Sequence, residues 1–421
     1  MKLHHVLWTT VIYVMGAGMA LAQSLPTADP LDVGLSPQRL ERVAGQIQKH
    51  VDEGRMAGAV VLVSRKGKVA YFEAIGQRDR EASAPMQKDS IFRIYSMTKP
   101  VTSLAVMMLF ERGHFLLSDP VSQYLPELGG LDVAVQQKDA ETGEVTIENV
   151  PATQEITIQD LLRHTSGLTY GFFDQSPVDA MYLQKGVLSS DADLAETVAK
   201  LGDLPLKYQP GTKFEYSVST DVLGRLVEVV SGQPLDKFFQ EQIFEPLNMP
   251  DTAFHVAADK TDRLAQLYRA NGDGSIVPGG SLVARDFTAP TKHFSGGGGL
   301  VSTATDYARF CQMMLNGGEL DGVRLLGSQT VQWMTSDHLG DRPRSPLLRG
   351  YGFGLGFAVR PENGLVAFPG SKGDFFWGGA AGTGFFIDPA EELCAVLMIQ
   401  NWMDQRYSAE FRGLVYQSIV D

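Results

Sequence analysis

Residues 91–113 read IFRIYSMTKPVTSLAVMMLFERG and form the most informative stretch of the chain. The segment Ser96-Met97-Thr98-Lys99 can place a hydroxyl and an amine one helical turn apart, where the amine can take the hydroxyl proton. Apolar residues at helical spacing then run from Val101 to Leu109 and stop before Gly113. The pattern predicts a helix with Ser96 at its start, and Pro100 is tolerated in such a first turn.

The Ser-x-x-Lys motif alone allows two interpretations. In one, Lys99 activates Ser96 as a nucleophile, which lets a serine hydrolase work without histidine. In the other, the segment is an ordinary amphipathic helix whose serine and lysine face water. A match this short arises by chance in a chain of 421 residues, so the rest of the sequence has to distinguish them.

The first residues have the order of a secretory signal peptide. Lys2 precedes an apolar run from Val6 to Ala20, and the small residues of Ala20-Leu21-Ala22 come directly before Gln23. The run is short for a membrane span, and a retained N-terminal anchor is the alternative. We therefore expect residues 1–22 to be removed, the mature chain to have no stable membrane span, and the protein to be periplasmic or secreted.

Composition excludes several classes of partner. The net charge is −13 and no block of basic residues occurs, so nucleic acid and anionic membranes are not expected partners. The eight histidines form no His-x-x-x-His pair and the two cysteines no Cys-x-x-Cys, so we expect no metal site and infer no cofactor. A disulfide between Cys311 and Cys394 is conceivable in an exported protein, but two buried free thiols are favoured. The sequence does not indicate an oligomeric state.

The chain reads as one large domain of the α/β (α+β) class with two interleaved parts. The periodicities predict helices at 36–53, 157–164, 221–230, 303–315 and 407–420, and strands at 59–63, 69–72, 354–359, 365–368, 384–387 and 393–400. Residues 65–68 read as a hairpin turn and 296–299 as a turn into the next helix. We expect a sheet subdomain at about 36–116 and 286–421, a mostly helical subdomain at about 117–285, and the active site in the cleft between them.

Four blocks in one order resemble a known superfamily. They are IFRIYSMTKPVTSLAVMMLFERGHFLLSDPVSQYL (91–125), LLRHTSGL (161–168), GGLVSTATDYARFCQMML (298–315) and YGFGLGF (351–357). The chain is similar, from about Ser36 to Val420, to the serine β-lactamase and penicillin-binding-protein superfamily, in the class C-related branch that includes family VIII carboxylesterases. The resemblance implies an antiparallel sheet flanked by terminal helices, joined to a helical subdomain with the nucleophile at their interface.

The resemblance also implies roles for particular residues. Ser96 would be the nucleophile, Lys99 its proton-accepting neighbour, and Tyr216, in the Tyr216-Ser217-Val218 element, would hold its phenol near Ser96. An isolated tyrosine is a poor base at neutral pH, so Tyr216 needs a neighbouring ammonium or must act together with the lysine. Which of Lys99 and Tyr216 is the general base stays open. The alternative for Tyr216 is an aromatic that packs on the core.

The third motif departs from that of β-lactamases. Where those enzymes carry Lys-Thr-Gly, this chain has Trp377-Gly378-Gly379-Ala380, as in family VIII esterases. The two glycines allow a close backbone approach to a ligand, and the N–H groups of Ala380 and Ser96 would form the oxyanion hole. Tryptophan replaces a cation by an apolar wall, which favours neutral esters. Ser371-Lys372-Gly373 could mimic the missing motif, but its turn-like surroundings favour a loop lysine.

Several other residues lie in segments that could contribute to the site. Tyr170 resembles an aromatic that lines the substrate pocket, and Phe172 and Phe173 join it or belong to the core. His164 reads as a structural residue at a helix end, since Ser166-Gly167 is typical of a helix stop. Asp221 is expected to face solvent or to cap a helix, and we assign it no role.

The sequence thus predicts a serine hydrolase that cleaves short-chain carboxylic esters through an acyl-enzyme. A class C-like β-lactamase or D,D-peptidase is the main alternative, and acyl transfer, amide hydrolysis or a non-catalytic binding domain are further ones. A small-molecule ester or a β-lactam-like compound is the expected ligand. An α/β-hydrolase is excluded because no Gly-x-Ser-x-Gly occurs.

Overall fold

The computed structural model describes residues 24–138, 141, 145–280 and 285–421. Its α-helices are α1 Pro37–Asp52, α2 Thr98–Glu111, α3 Ile158–Leu162, α4 Pro177–Lys185, α5 Leu194–Gly202, α6 Ser219–Ser231, α7 Leu235–Phe239, α8 Ala304–Leu315, α9 Ser328–Met334 and α10 Arg406–Gln417. Its strands are β1 Gly58–Arg65, β2 Lys68–Asp79, β3 Ala84–Pro85, β4 Phe92–Arg93, β5 Asp132–Lys138, β6 Val145–Pro151, β7 Tyr268–Ala270, β8 Ile276–Pro278, β9 Val301–Ser302, β10 Glu319–Leu320, β11 Val323–Arg324, β12 Gly352–Phe353, β13 Ala358–Val359, β14 Phe375–Gly378, β15 Gly384–Asp388, β16 Leu393–Met398 and β17 Asn401–Trp402. The predicted signal peptide, residues 1–22, lies outside the described residues.

An eight-stranded sheet has the order β12-β13-β14-β15-β16-β1-β2-β3, and every neighbouring pair is antiparallel. The central strand β1 is buried along its whole length, because both faces of the sheet are covered. Val60 and Leu62 face the core that contains α2 and α8, whereas Val61 and Val63 face α1 and α10. The prediction of an antiparallel sheet flanked by terminal helices is confirmed.

The turn between β1 and β2 follows directly from local sequence. Lys66 and Gly67 have φ angles of 52° and 74°, and two successive residues with positive φ are what a tight two-residue hairpin needs. Both strands lie where the alternation of apolar residues predicted them.

The segment between the two sheet-forming parts is mainly helical, with α3 to α7, but it also contains strands that the sequence pattern did not reveal. β5 and β6 form a separate hairpin, and β7 and β8 pair with each other and with β17. These strands are short or largely solvent-exposed, so they carry little apolar periodicity.

One strand prediction in the C-terminal part of the chain is right only in part, and another is wrong. Of the expected strand at 354–359, only Ala358–Val359 forms a strand, β13, whereas 354–357 form a tight turn after β12, because Gly356 has a φ of 103° and a Cβ there would lie 2.4 Å from Ser103 Oγ. The expected strand at 365–368 is an irregular loop in which Leu365 is 59% exposed. Its apolar residues therefore do not mark a buried strand.

Helix α2 is the central element of the molecule. A 3₁₀ turn, Tyr95–Met97, precedes it, so the α-helix begins two residues after Ser96. Its residues from Thr98 to Leu109 are all buried, as expected for a helix enclosed on every side. Lys99 is 1% exposed, which rules out the interpretation in which it faces water.

Cys311 on α8 and Cys394 on β16 are both free and buried, as the sequence favoured. Burial raises the pKa of Cys394 to about 12 and that of Cys311 well above its usual range. Both groups therefore stay as inert thiols at neutral pH. Across the part of the chain that the structure describes, no helix has both the length and the apolar character that crossing a bilayer requires.

A buried charge cluster links strand β14 to helix α10. Asp374, just before β14, is fully buried and forms salt bridges with Arg360 Nε at 2.7 Å and with Arg412 Nη2, from α10, at 2.5 Å. The Arg412 guanidinium also lies over the rings of Phe376 and Phe386, 5.0 and 5.1 Å from their centroids. Strand β14 is thereby tied to α10.

The substitution Asp374→Ala should lower the free energy of unfolding by about 3–5 kcal/mol, because it leaves two buried guanidinium groups without their carboxylate. Urea unfolding followed by circular dichroism measures the loss. Glu362→Gln is the matched control, since Glu362 pairs with Lys372 at the surface, where both side chains are more than half exposed. That variant should change stability by less than about 0.5 kcal/mol. Equal effects would contradict the importance of the buried cluster.

Candidate active site

Ser96 sits in the short turn that joins β4 to α2. The preceding Tyr95 has a φ of 40°, a left-handed conformation that is uncommon for a residue with a bulky side chain. Such backbone strain persists only where the surrounding structure enforces it, and it is frequent at active sites. It orients Ser96 at the end of α2, half-buried at the floor of a cleft.

Lys99, one turn later, has an acceptor for each of its three N–H bonds. Its Nζ donates to Ser96 Oγ at 3.3 Å, to the Tyr170 hydroxyl at 2.7 Å and to the Gly297 carbonyl at 2.7 Å. A buried amine needs such partners, because an unsatisfied polar group in the interior is costly. The structure thus places the amine beside the serine hydroxyl, as the motif required.

Tyr170 contacts the amine as well as lining the pocket. Burial, and then the neighbouring Tyr216 and Asp221, raise the pKa of Tyr170 well above its usual range. It therefore stays a neutral phenol whose oxygen accepts from Lys99 Nζ. The sequence predicted only a substrate contact for this residue.

Tyr216 lies between Lys99 and Trp377. The Trp377 indole N–H donates to the Tyr216 hydroxyl at 3.2 Å, and Lys99 Nζ lies over the Tyr216 ring, 4.6 Å from its centroid. A donor and a positive charge therefore adjoin the phenol. His164, at the end of α3 with a φ of 56°, packs its ring 4.9 Å from that of Tyr216.

His164 has a structural role and is not a catalytic base. Its Nδ1 lies 3.3 Å from Ser217 Oγ, and the residue is 1% exposed. Burial, with a smaller contribution from the Lys99 charge, holds the pKa of His164 well below its usual value, so the imidazole is neutral at neutral pH. The sequence expectation of a structural residue at a helix end agrees with this position.

Asp221 does not face solvent, and this expectation was wrong. It lies in the first turn of α6 but is 4% exposed. Its Oδ1 accepts from Ser295 Oγ at 2.5 Å and from the Gly297 N–H at 3.1 Å. The residue is buried because the glycine-rich turn at 296–299 packs over it: a Cβ on Gly297 would lie 2.6 Å from Asp221 Oδ2 and 3.0 Å from the Tyr170 hydroxyl.

On the opposite side, the end of β14 comes close to the backbone before Ser96. A Cβ on Gly379 would lie 2.3 Å from the Ile94 carbonyl oxygen and 2.2 Å from Thr383 Oγ1. Only glycine allows this approach. It brings Ala380, in the turn after β14, to the same cleft that Ser96 lines.

Two cavities meet at the serine. One, of about 140 Å³, lies toward Tyr170, Asp221 and the glycine-rich turn; the other, of about 250 Å³, extends along Trp377 and Gly378 toward α10. Both cavities are lined by Ser96, Phe173, Tyr216, Ala380 and Met403. An ester bound with its carbonyl at Ser96 has a separate compartment for each half.

Lys207, which no sequence pattern marks as a site residue, holds the loop after Tyr170 through ion pairs. Lys207 is buried and pairs with Asp174 at 3.2 Å, Asp179 at 3.0 Å and Glu215 at 2.7 Å. The two aspartates flank the loop after Tyr170, and Glu215 precedes Tyr216. Long-range ion pairs of this kind leave no local signal in a sequence.

The remaining predicted residues are also accounted for. Phe172 and Phe173 line the smaller cavity, and Phe173 is 47% exposed, so it is not a core residue. Lys372 is an exposed loop residue that pairs with Glu362, as the turn pattern favoured. Within the described ranges, no group of three or more His, Cys, Asp or Glu side chains could hold a metal ion.

A serine with a buried amine one turn away, at the junction of an antiparallel sheet and a helical region, is an arrangement typical of a serine hydrolase. Comparison with known proteins agrees. The family described as Beta-lactamase matches residues 43–412, and the chain belongs to this family.

Three relatives illustrate its range. Protein Rv1367c of Mycobacterium tuberculosis is 38% identical over 85% of this chain and 89% of the relative. Esterase EstB of Burkholderia gladioli is 33% identical over 90% of this chain and 94% of the esterase. The structure of EstCE1, a hydrolase with promiscuous acyltransferase activity, superposes with a TM-score of 0.75 at 30% identity, covering 90% of this chain and 99% of EstCE1.

The substitution Gly379→Ala should lower the rate of labelling by a fluorophosphonate probe by roughly 100-fold, the scale of losing an oxyanion donor, because β14 must move away from Ile94 and take Ala380 with it. Gel fluorescence over time measures this rate. Gly378→Ala is the control: its Cβ would lie 3.1 Å from the Thr383 carbonyl oxygen and 3.2 Å from the Gln405 side chain, which can shift. Labelling of that variant should fall only a few-fold. Similar losses in both would contradict the special role of the Gly379 approach.

Proposed function

We propose that this protein hydrolyses short-chain carboxylic esters through an acyl-enzyme on Ser96. The observation that carries the proposal is the Lys99 amine, 3.3 Å from Ser96 Oγ and with its other two N–H bonds occupied. The similarity to esterase EstB supports ester chemistry.

In the proposed reaction, Ser96 Oγ attacks the ester carbonyl carbon while its proton passes to the Lys99 and Tyr216 pair. The N–H groups of Ser96 and Ala380 hold the tetrahedral oxyanion. Tyr216 returns the proton to the leaving alcohol, and water then cleaves the acyl-enzyme and regenerates Ser96. Lys99 Nζ lies 3.3 Å from Ser96 Oγ and 4.6 Å from the centroid of the Tyr216 ring, and the choice of immediate base between Lys99 and Tyr216 stays open.

Preference for a small, neutral substrate follows from the walls of the cleft. The rings of Tyr170, Phe172, Phe173 and Tyr216 are in mutual contact, with centroid separations between 4.4 and 5.8 Å. They favour a compact apolar acyl group in the smaller cavity. Trp377 puts an indole where the related β-lactamase motif has a lysine, so no ammonium is offered there to a β-lactam carboxylate.

The substitution Ser96→Ala should abolish hydrolysis of p-nitrophenyl acetate and butyrate, since the acyl-enzyme cannot form, while leaving thermal unfolding unchanged. Activity above a few per cent of wild type would refute Ser96 as nucleophile. A panel of p-nitrophenyl esters of increasing acyl length, with nitrocefin at equal enzyme concentration, tests the substrate class. Faster turnover of nitrocefin than of the butyrate ester would instead favour the β-lactamase or D,D-peptidase alternative.

We also propose that the protein is exported, on the basis of the apolar run from Val6 to Ala20 and the small residues before Gln23. Mass spectrometry of protein purified from the envelope or medium of its host should find Gln23 at the N-terminus. Recovery of the intact N-terminal segment in the membrane fraction would identify an anchor instead.

A further inference from the structure

Asp221 and Lys99 are buried on either side of one residue, Gly297. The Gly297 N–H donates to Asp221 Oδ1 at 3.1 Å, and the carbonyl of the same residue accepts from Lys99 Nζ at 2.7 Å. Asp221 is 4% exposed and Lys99 1% exposed. The two hydrogen bonds of Gly297 therefore connect a buried carboxylate with a buried amine.

This arrangement solves an electrostatic problem that the catalytic pair creates. A buried ammonium is destabilised when no negative charge compensates it. Of the groups around Lys99, burial keeps Tyr170 a neutral phenol and His164 a neutral imidazole, so neither supplies a negative charge. Asp221 is itself placed in the first turn of α6, where the helix N-terminus stabilises a carboxylate.

We propose that Asp221 is a positioning residue for the reaction, one that acts on Lys99 through the backbone of Gly297. It holds the glycine-rich turn so that the Gly297 carbonyl faces Lys99 Nζ, and its charge stabilises the protonated form of the Lys99 and Tyr216 pair. The inference rests on Ser96 and Lys99 being the reactive pair of the proposed function.

The geometry allows charge and position to be separated. Both hydrogen bonds to Asp221 end on Oδ1, from Ser295 Oγ and the Gly297 N–H. An asparagine can accept both bonds through its own Oδ1 and carries no charge. Ser295→Ala does the reverse, because it removes one bond and keeps the carboxylate.

The direction of the effect does not depend on which group is the base. Removing a nearby negative charge favours loss of a proton from the Lys99 ammonium and from the Tyr216 phenol alike. The acidic limb of the pH–rate profile should therefore move to lower pH in Asp221→Asn, by at least about 0.5 pH unit. Arg285 and His293 line the same cavity but are unchanged in both variants.

The test measures the rate of Ser96 labelling by a fluorophosphonate between pH 5 and 9, in which the serine displaces fluoride from phosphorus and its proton goes to the base. This readout needs an activated serine but no particular ester. Asp221→Asn should shift the acidic limb, Ser295→Ala should lower the rate a few-fold without shifting it, and Asp191→Asn, an exposed carboxylate, should change neither. Circular dichroism and thermal unfolding establish that each variant is folded.

An unshifted limb in a folded Asp221→Asn protein, with a rate lowered as in Ser295→Ala, would show that Asp221 only braces the turn, and would overturn the inference. If Asp221→Asn fails to fold, the comparison is made with Ser295→Asp, which adds a negative charge at the same turn and should move the acidic limb to higher pH. An unshifted limb in folded Ser295→Asp would overturn the inference. No labelling of the wild type at all would refute the proposed function itself.

Discussion

The organisation of this molecule depends on the buried amine of Lys99, which needs hydrogen-bond partners in three directions. The acceptors for Lys99 come from the turn before α2, from the loop after α3 and from the glycine-rich turn before β9. An unpaired charge in such surroundings is costly, so the three segments are held to one geometry. The helical part and the sheet part of the chain therefore have to meet at α2.

A second constraint is steric and comes from the sheet. The end of β14 can lie against the backbone before Ser96 only because Gly379 has no side chain. The Asp374 cluster fixes the other end of that strand to α10. One wall of the cleft is thus set by close backbone packing and the other by hydrogen bonds to Lys99.

Much of this could be predicted from sequence because the signals are local. The hairpin around Gly67 and the helix after Ser96 follow from turn residues and apolar spacing. The chemistry of the Ser-x-x-Lys motif likewise lies within four residues. The structure brings Ser96, Lys99, Tyr216, Tyr170, Trp377 and Ala380 to one cleft, and their individual roles stay predictions.

What could not be predicted depends on contacts between distant segments. Asp221 was expected to face solvent or to cap a helix, because nothing near it in sequence shows that Ser295 and Gly297 fold over it. The ion pairs of Lys207 likewise leave no local signal, and the loop at 365–368 reads as a strand because its four residues are all apolar.

Tyr170 couples the shape of the smaller cavity to the position of the Lys99 amine. Its ring lines that cavity, and its hydroxyl oxygen accepts a hydrogen bond from Lys99 Nζ. Replacing Tyr170 to widen the cavity would therefore also remove a partner of the amine. Phe172 and Phe173 line the same wall and have no polar side-chain atom, so the cavity can be reshaped there without removing a hydrogen bond from Lys99.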